Sequence, residues 1–382
     1  MIDENRLSGT FQFLVSIDSV SRQEGLLARK LAQALGNLGV ETRIDDAGGK
    51  VGGDTGNLIA RLAGNTPAPP LLLSAHMDTV EPGKGVTAVL RNGVFTSDGT
   101  TILGADDKSA IAILLETLQV LKEDRLAHGP LELVFTICEE VGLLGAKHLD
   151  VDLLKATYGY VLDATDTSAI ITRAPAANHI ELVVHGKAAH AGAAPEKGIN
   201  AIWLAGQAIA GLSLGRIDRE TTCNIGVIEG GVATNIVPDK VTVKGEVRSH
   251  DSRKLQAVTD TIVSAFQGSV EACCSGRPNE ERPRLDILIT RDFSATDIPE
   301  NHRVVTLARQ AAANQGRHMI CKATGGGADA NIFFEKGILT GVLGTGMKDV
   351  HTVDESVAVA DMVKSVALLL EIIRLQAAGW TR

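Results

Sequence analysis

The sequence predicts an α/β fold: a two-domain chain whose larger domain holds a mostly parallel sheet, with a smaller ferredoxin-like α+β domain inserted into it. Three observations predict this. Short apolar runs alternate with longer stretches of helical periodicity in both outer parts of the chain, as in a sheet whose strands are joined by helices. Between Pro175 and Pro299 the order changes to βαββαβ. Acids and histidines stand at the ends of several outer strands, where sites form on the carboxyl edge of an α/β sheet.

In chain order, residues 8–20 and 24–38 read as helices. The second carries Leu27, Leu31, Ala34, Leu35 and Leu38 at helical spacing, and Gly39 suits its C-terminal end. Strands are expected near 57–62 and 70–75, parted by the turn segment from Gly64 to Pro70. Ile111, Leu114, Leu115, Leu118 and Leu121 form the inward stripe of a helix over 107–122. Strands near 131–137 and 158–162 flank a short helix at 143–148. The insert reads as strand 179–185, helix 197–213, strands 222–229 and 240–248, helix 252–266 and strand 284–291. After Pro299 come a helix over 301–315, a strand over 338–343 and a long helix over 356–376. The expected limits are 1–176 with 296–382 for the outer domain and 177–295 for the insert.

A chain of 382 residues is too long for one typical core, which agrees with two domains. Hydrophobic residues make up 44% and aromatics only 3%, so the core is built from Leu, Ile, Val and Ala. The formal net charge of -9 argues against a nucleic-acid partner, which needs a basic footprint. The longest apolar stretches are broken by Glu116 and Glu371, so neither a membrane span nor a signal peptide is expected. Five cysteines without a Cys-x-x-Cys pair argue against a thiolate zinc site and suit a reducing cytoplasm. Cys138 reads as a small buried residue rather than a nucleophile.

Six residues carry the chemistry: His76, Asp106, Glu139, Glu140, Asp163 and His351. His76 and Asp78 either point into one site from a strand or Asp78 reaches behind His76 from the next turn, as a metal-bound imidazole requires of a partner. Asp106 and Asp107 stand at a helix start, where carboxylates are favoured; simple capping accounts for Asp107, and Asp106 suits a carboxylate bridging two cations. Glu139 and Glu140 follow an apolar strand. In an extended segment adjacent side chains point to opposite sides, so one can ligate while the other faces an attacking water. Taken singly, each residue is an ordinary loop or capping residue. Together, two histidines and several carboxylates form a suitable shell for two Zn²⁺ or related ions.

The stretches SAHMDTV (74–80), LGADDKSA (103–110), TICEEVGLLGAKHLD (136–150), GKAAHAGAAPEKGINAI (186–202), GGGADANIF (325–333) and HTVDE (351–355) resemble, in this order, the M20 metallopeptidase family and its peptidase T-like branch. The resemblance covers nearly the whole chain. It implies a zinc-peptidase-like catalytic domain with a lid and dimerisation insert. It implies that His76, Asp106 and Asp163 hold one metal and Asp106, Glu140 and His351 the other. Zinc is the expected metal, with Mn or Co as alternatives. Glu139 would be the general base and Asp78 would orient His76. His190 would help to stabilise the oxyanion, and Asn235 and Arg248 would contact substrate. It also implies a cis peptide between Asp106 and Asp107 and a homodimer joined through the inserts. Tripeptidases of this branch carry an Arg before the Gly-Gly of the late glycine motif. Here Thr324 precedes Gly325 and Gly326, so no fixed cationic clamp for a substrate carboxylate is expected there. Short peptides are the expected substrates. The alternatives are N-acyl or N-carbamoyl amino acids, or a non-catalytic metal-binding scaffold, against which the intact Glu139 speaks.

Overall fold

The computed structural model of the protein describes residues 1–274 and 282–379. It contains two compact units: Met1–Arg173 with Asp297–Ala323 and Ala328–Arg382, and Ala174–Thr296 with Thr324–Gly327.

The first unit is built on a nine-stranded mixed sheet. At its centre Leu131–Thr136, Leu71–His76, Tyr158–Ala164 and Leu339–Gly344 lie side by side and run parallel. Leu58–Leu62 and Glu41–Ile44 extend one edge antiparallel, and Ala169–Ala174 joins antiparallel at the other side. Covered on both faces, the central strands are apolar along their length rather than alternating: Leu71–His76 and Leu131–Thr136 are buried at every position. Alternation decides only which layer each side chain joins. Leu71, Leu73, Leu133 and Phe135 pack into the core that includes Phe11, Ile111, Leu114 and Ile372. Leu72, Val134 and Val161 turn to the opposite layer with Phe333. This parallel arrangement aligns four carboxyl ends. His76 closes one strand, Asp163 is the penultimate residue of the next, and Glu139 and His351 follow the other two.

The second unit is a five-stranded antiparallel sheet, ordered Gly215–Arg216, Thr221–Gly230, Lys240–Ser249, Ala176–His185, Arg284–Phe293. Counted along the chain, its four long strands take the spatial order second, third, first, fourth, which is ferredoxin-like. Ile180, Leu182, Val184, Val241 and Val243 bury against Leu204 of the helix Ala201–Ala210 and Leu255, Ile262 and Phe266 of the helix Ser252–Cys274.

Some boundaries differ from expectation for local reasons. The first helix is Glu4–Val15, not 8–20, because the Asp3 carboxylate caps it by accepting the N–H groups of Asn5 and Arg6. The helix Ser252–Cys274 continues past 266, its apolar stripe running on to Val270. Glu41–Ile44, Ala169–Ala174, Ile320–Ala323 and the helix Asp329–Glu335 were not expected from the sequence. Neither was the small sheet of Met347–Lys348, Ser356–Ala358, Val94–Thr96 and Val89–Arg91. These elements are short, and Glu41–Ile44 is exposed at every position, so no periodicity marks it. Among the described residues, no helix is long and apolar enough to cross a membrane.

Candidate metal centre

His76 is held from behind. Its Nδ1 lies 2.9 Å from the backbone carbonyl of Asp78. A carbonyl only accepts, so Nδ1 carries the hydrogen and Nε2 presents its lone pair. That nitrogen is 2.9 Å from Asp106 Oδ1. The Asp78 carboxylate is farther from the ring, at 3.5 Å from Nδ1, so the expected partner of His76 is supplied by the backbone of Asp78 instead. The carboxylate serves the next segment. It accepts the N–H groups of Glu139 at 2.9 Å and Glu140 at 3.2 Å, and the Ser21 hydroxyl at 2.6 Å.

Asp106 enters from a tight turn. Gly104 adopts φ +76°, and neither Asp106 nor Asp107 has helical torsions, so the regular helix begins only after them. The Asp106–Asp107 peptide is cis, as the resemblance implied. Asp107 is not a simple cap. It is buried and its Oδ2 accepts the backbone N–H of His76 at 3.2 Å.

Glu139 and Glu140 stand in a turn, not in an extended segment. The strand ends at Thr136, Cys138 takes φ +53°, and Glu139 O accepts the N–H of Leu143 at 2.8 Å. Strand alternation therefore does not separate the two acids; the turn does. Glu140 Oε1 is 3.0 Å from His351 Nε2, which is also 3.2 Å from Asp106 Oδ2. His351, itself at φ +64°, thus joins Asp106 and Glu140 from the far end of the chain. Ligand-type atoms of His76, Asp106 and Glu140 all lie within 4.8 Å of one another.

The electrostatics are those of a site short of positive charge. Burial, then the charge of Asp106, pushes the Asp163 carboxyl well above its ordinary range, and burial does the same to Glu139. Neither carboxylate has a hydrogen-bond donor among the described residues. Burial opposes charge on His76, but its contacts with Asp106 and Asp78 prevail and raise it well above the usual imidazole value. His351 is pushed up to about 10 by Asp106 and Glu140. Burial would raise Asp106, yet the two histidines hold it below the usual carboxylate range. With His76 neutral and its hydrogen on Nδ1, the contact of its Nε2 with Asp106 Oδ1 would set acceptor against acceptor. A proton or a cation must lie between them. A thiolate-free cluster of two imidazoles and several undonated carboxylates suits divalent cations.

Two buried acids at the site escaped the sequence reading. Asp329 Oδ2 accepts the Thr136 hydroxyl at 2.5 Å while Oδ1 has no partner, and burial pushes its carboxyl up to about 6. Glu355 accepts backbone N–H groups of the turn that presents Asp106. Both lie inside the stretches GGGADANIF and HTVDE, which was the available signal.

The other expected residues belong to the second unit. His190 Nδ1 accepts the N–H groups of Gly192 and Ala193, both at 3.1 Å, which leaves the hydrogen on Nε2 of an exposed ring. Asn235 is its neighbour: His190 bridges Ile236, and Asn235 O accepts the N–H of Ala191 at 2.9 Å. Arg248 is already engaged, 3.0 Å from Glu246 and 6.0 Å from the Phe293 ring centre.

This fold with this site defines a metal-dependent peptidase. The profile of the peptidase dimerisation domain matches residues 175–270, and that of peptidase family M28 matches residues 57–171. The uncharacterized protein YqjE of Bacillus subtilis is 40% identical over 374 residues, covering 98% of this chain and 99% of that protein. The crystal structure of aminopeptidase PepT from Bacillus cereus is 38% identical with a TM-score of 0.88 and covers 99% of both chains. That of a tripeptidase from Staphylococcus aureus is 36% identical with a TM-score of 0.92, covering 99% of this chain and 100% of that one. The chain belongs to the M20 peptidase family, on its peptidase T-like branch.

Proposed function

We propose that the protein is a two-metal aminopeptidase that hydrolyses short peptides, with zinc as its metal and manganese or cobalt as substitutes. The observation that carries this reading is the convergence of His76, Asp106, Glu140 and His351, with the undonated carboxylates of Asp163 and Glu139 beside them. His76, Asp106 and Asp163 would hold one ion and Asp106, Glu140 and His351 the other, with Asp106 serving both. When bound, the ions polarise the scissile carbonyl and lower the pKa of water. Glu139 takes the proton of the attacking water and delivers it to the leaving amine. Asp78 fixes the His76 tautomer through its carbonyl and steadies the Glu139–Glu140 turn through its carboxylate. On the second unit, the Nε2 hydrogen of His190 is a donor for the oxyanion, and Asn235 and Arg248 contact substrate.

The names of the relatives, aminopeptidase and tripeptidase, support peptide substrates with a free amino terminus. Arg248 is paired with Glu246, and Thr324 stands before the glycines, so peptide length is not selected by a bare cation at either place. The dimerisation-domain match supports a homodimer joined through the second unit, which acts as lid and interface. Five free cysteines suit the cytoplasm.

A substrate panel with metal removal tests the reading. The protein is stripped with a chelator, reloaded with Zn²⁺, Mn²⁺ or Co²⁺, and assayed on di- and tripeptides, N-acyl and N-carbamoyl amino acids. Peptide hydrolysis that vanishes on stripping and returns on reloading is expected. Preference for acyl or carbamoyl amino acids would make it an amidohydrolase, and no turnover with ions bound would make it a scaffold.

A further inference from the structure

Asp106 and His351 come from loops far apart in the chain, yet they meet at 3.2 Å. Their contact is not the only tie between those loops. Glu355 lies in the same turn as His351, where its own N–H is donated to Thr352 O at 3.2 Å. Its side chain is fully buried and reaches the other loop, 249 positions away in sequence from Asp106. There Oε2 accepts the N–H groups of Leu103 at 2.8 Å and Gly104 at 2.7 Å, and Oε1 accepts that of Asp106 at 2.9 Å. One carboxylate thus satisfies three donors within four residues of a turn that has left the sheet and not yet entered its helix. Such donors, buried, would otherwise go unpaired.

We propose that Glu355 is a positioning residue of the metal centre: its carboxylate fixes the Asp106 turn to the His351 turn, so the two ligands keep their spacing before any ion arrives. It touches neither substrate nor ion. A charge in this place has a counterpart in Lys108, two residues beyond Asp106, whose buried ammonium donates to Ile17 O at 2.7 Å and acts on Glu355 electrostatically. Three charge-assisted bonds hold the backbone of one ligand loop, while the peptide of the other ligand loop carries the acceptor. No other described hydrogen bond joins the Leu103–Asp106 backbone directly to the 351–355 turn, although the Ser97 hydroxyl, bonded to Thr101 O at 2.7 Å, also reaches Val353 O at 3.4 Å. Glutamine in place of Glu355 keeps the shape but turns an NH₂ group toward N–H donors, so at least one of the three bonds is lost.

Glu132 provides the comparison for a purely structural role. It too is a buried glutamate capturing backbone donors, the N–H groups of Lys155 at 2.8 Å and Ala156 at 2.9 Å, but it serves a connection away from the site. The inference rests on the proposed metal centre, and the test separates the two. Co²⁺ is titrated into metal-free wild type, Glu355→Gln and Glu132→Gln, with affinity and the cobalt absorption spectrum as readouts and circular dichroism to verify folding. Glu355→Gln should bind Co²⁺ ~10–100-fold more weakly, the usual effect of removing a residue that orients ligands, with an altered spectrum. Glu132→Gln should lose thermal stability and keep the wild-type affinity and spectrum. If Glu355→Gln does not fold, Glu355→Asp carries the same test, since the shorter arm keeps the charge but not the reach. A folded Glu355 variant with wild-type affinity and spectrum overturns the inference. Wild type that binds no Co²⁺ overturns the metal centre itself.

Discussion

Adjacent residues at this site have different surroundings, and the differences are testable. Glu140 touches His351, whereas Glu139 is half-buried and has no donor among the described residues. Glu139→Gln should therefore retain both ions and lose ~10²–10⁴-fold in turnover, the usual worth of a general base. Glu140→Gln should instead lower metal occupancy, which native mass spectrometry counts; the reverse pattern would exchange the two assignments. Glu24 makes a second prediction. Its Oε1 accepts the N–H groups of Arg22 and Cys138, each at 3.0 Å, and its Oε2 has no partner. Burial, then the charge of Asp78, raises its carboxyl from the ordinary 4.5 to about 7. Unfolded chains lose this proton near 4.5 and the folded protein near 7, so between these values the native state binds more protons. Stability must then fall as pH rises through that window, by at most about 3 kcal/mol from this group. In metal-free protein, Glu24→Gln should gain stability relative to wild type between about pH 5 and about pH 8 in urea unfolding; an unchanged difference contradicts the assignment. At this scale the sequence showed His76, Asp106, Glu140, Asp163 and His351 as candidates because acids and histidines after apolar strands, or at the start of an apolar helix as for Asp106, are conspicuous. It hid Glu355 and Asp329, whose partners are remote in sequence, and it suggested the carboxylate of Asp78 where the carbonyl makes the shorter contact.

Elements follow the same logic of visible and invisible signals. The helix Ala105–Glu123 and the parallel strands were legible because burial on every side leaves long apolar patterns. The hairpin of Val89–Arg91 and Val94–Thr96 was not, since three-residue strands carry no period. The helix Glu4–Val15 shows how such parts are joined. Phe11 is fully buried and its ring centre lies 4.9 Å from that of Phe95, in the hairpin's second strand. Phe11→Ala should cost ~3–5 kcal/mol in urea unfolding, as large-to-small changes in tight cores do. A cost below about 1 kcal/mol would mean that the helix does not seal this core.

For the whole molecule, the second unit was legible as a βαββαβ pattern because its alternating strands keep one face apolar. The catalytic part proposed for it rests on His190, whose Nδ1 accepts two N–H groups and so leaves the hydrogen on Nε2. His190→Ala should keep both metals and lower turnover by ~10²–10³-fold, as loss of one oxyanion donor does. If the chain forms the proposed homodimer and shares its donors between copies, mixing His190→Ala with Glu139→Gln chains should restore activity. No recovery despite subunit exchange would assign His190 to its own chain or deny it a catalytic part. The central claim is that this chain binds two catalytic cations at His76, Asp106, Glu140, Asp163 and His351. Native mass spectrometry of metal-free protein titrated with Zn²⁺, read beside peptide hydrolysis in the same samples, tests it most directly. The account predicts two ions per chain, with hydrolysis rising as they bind. Full hydrolysis in the metal-free sample, or no zinc bound by folded protein, would contradict it.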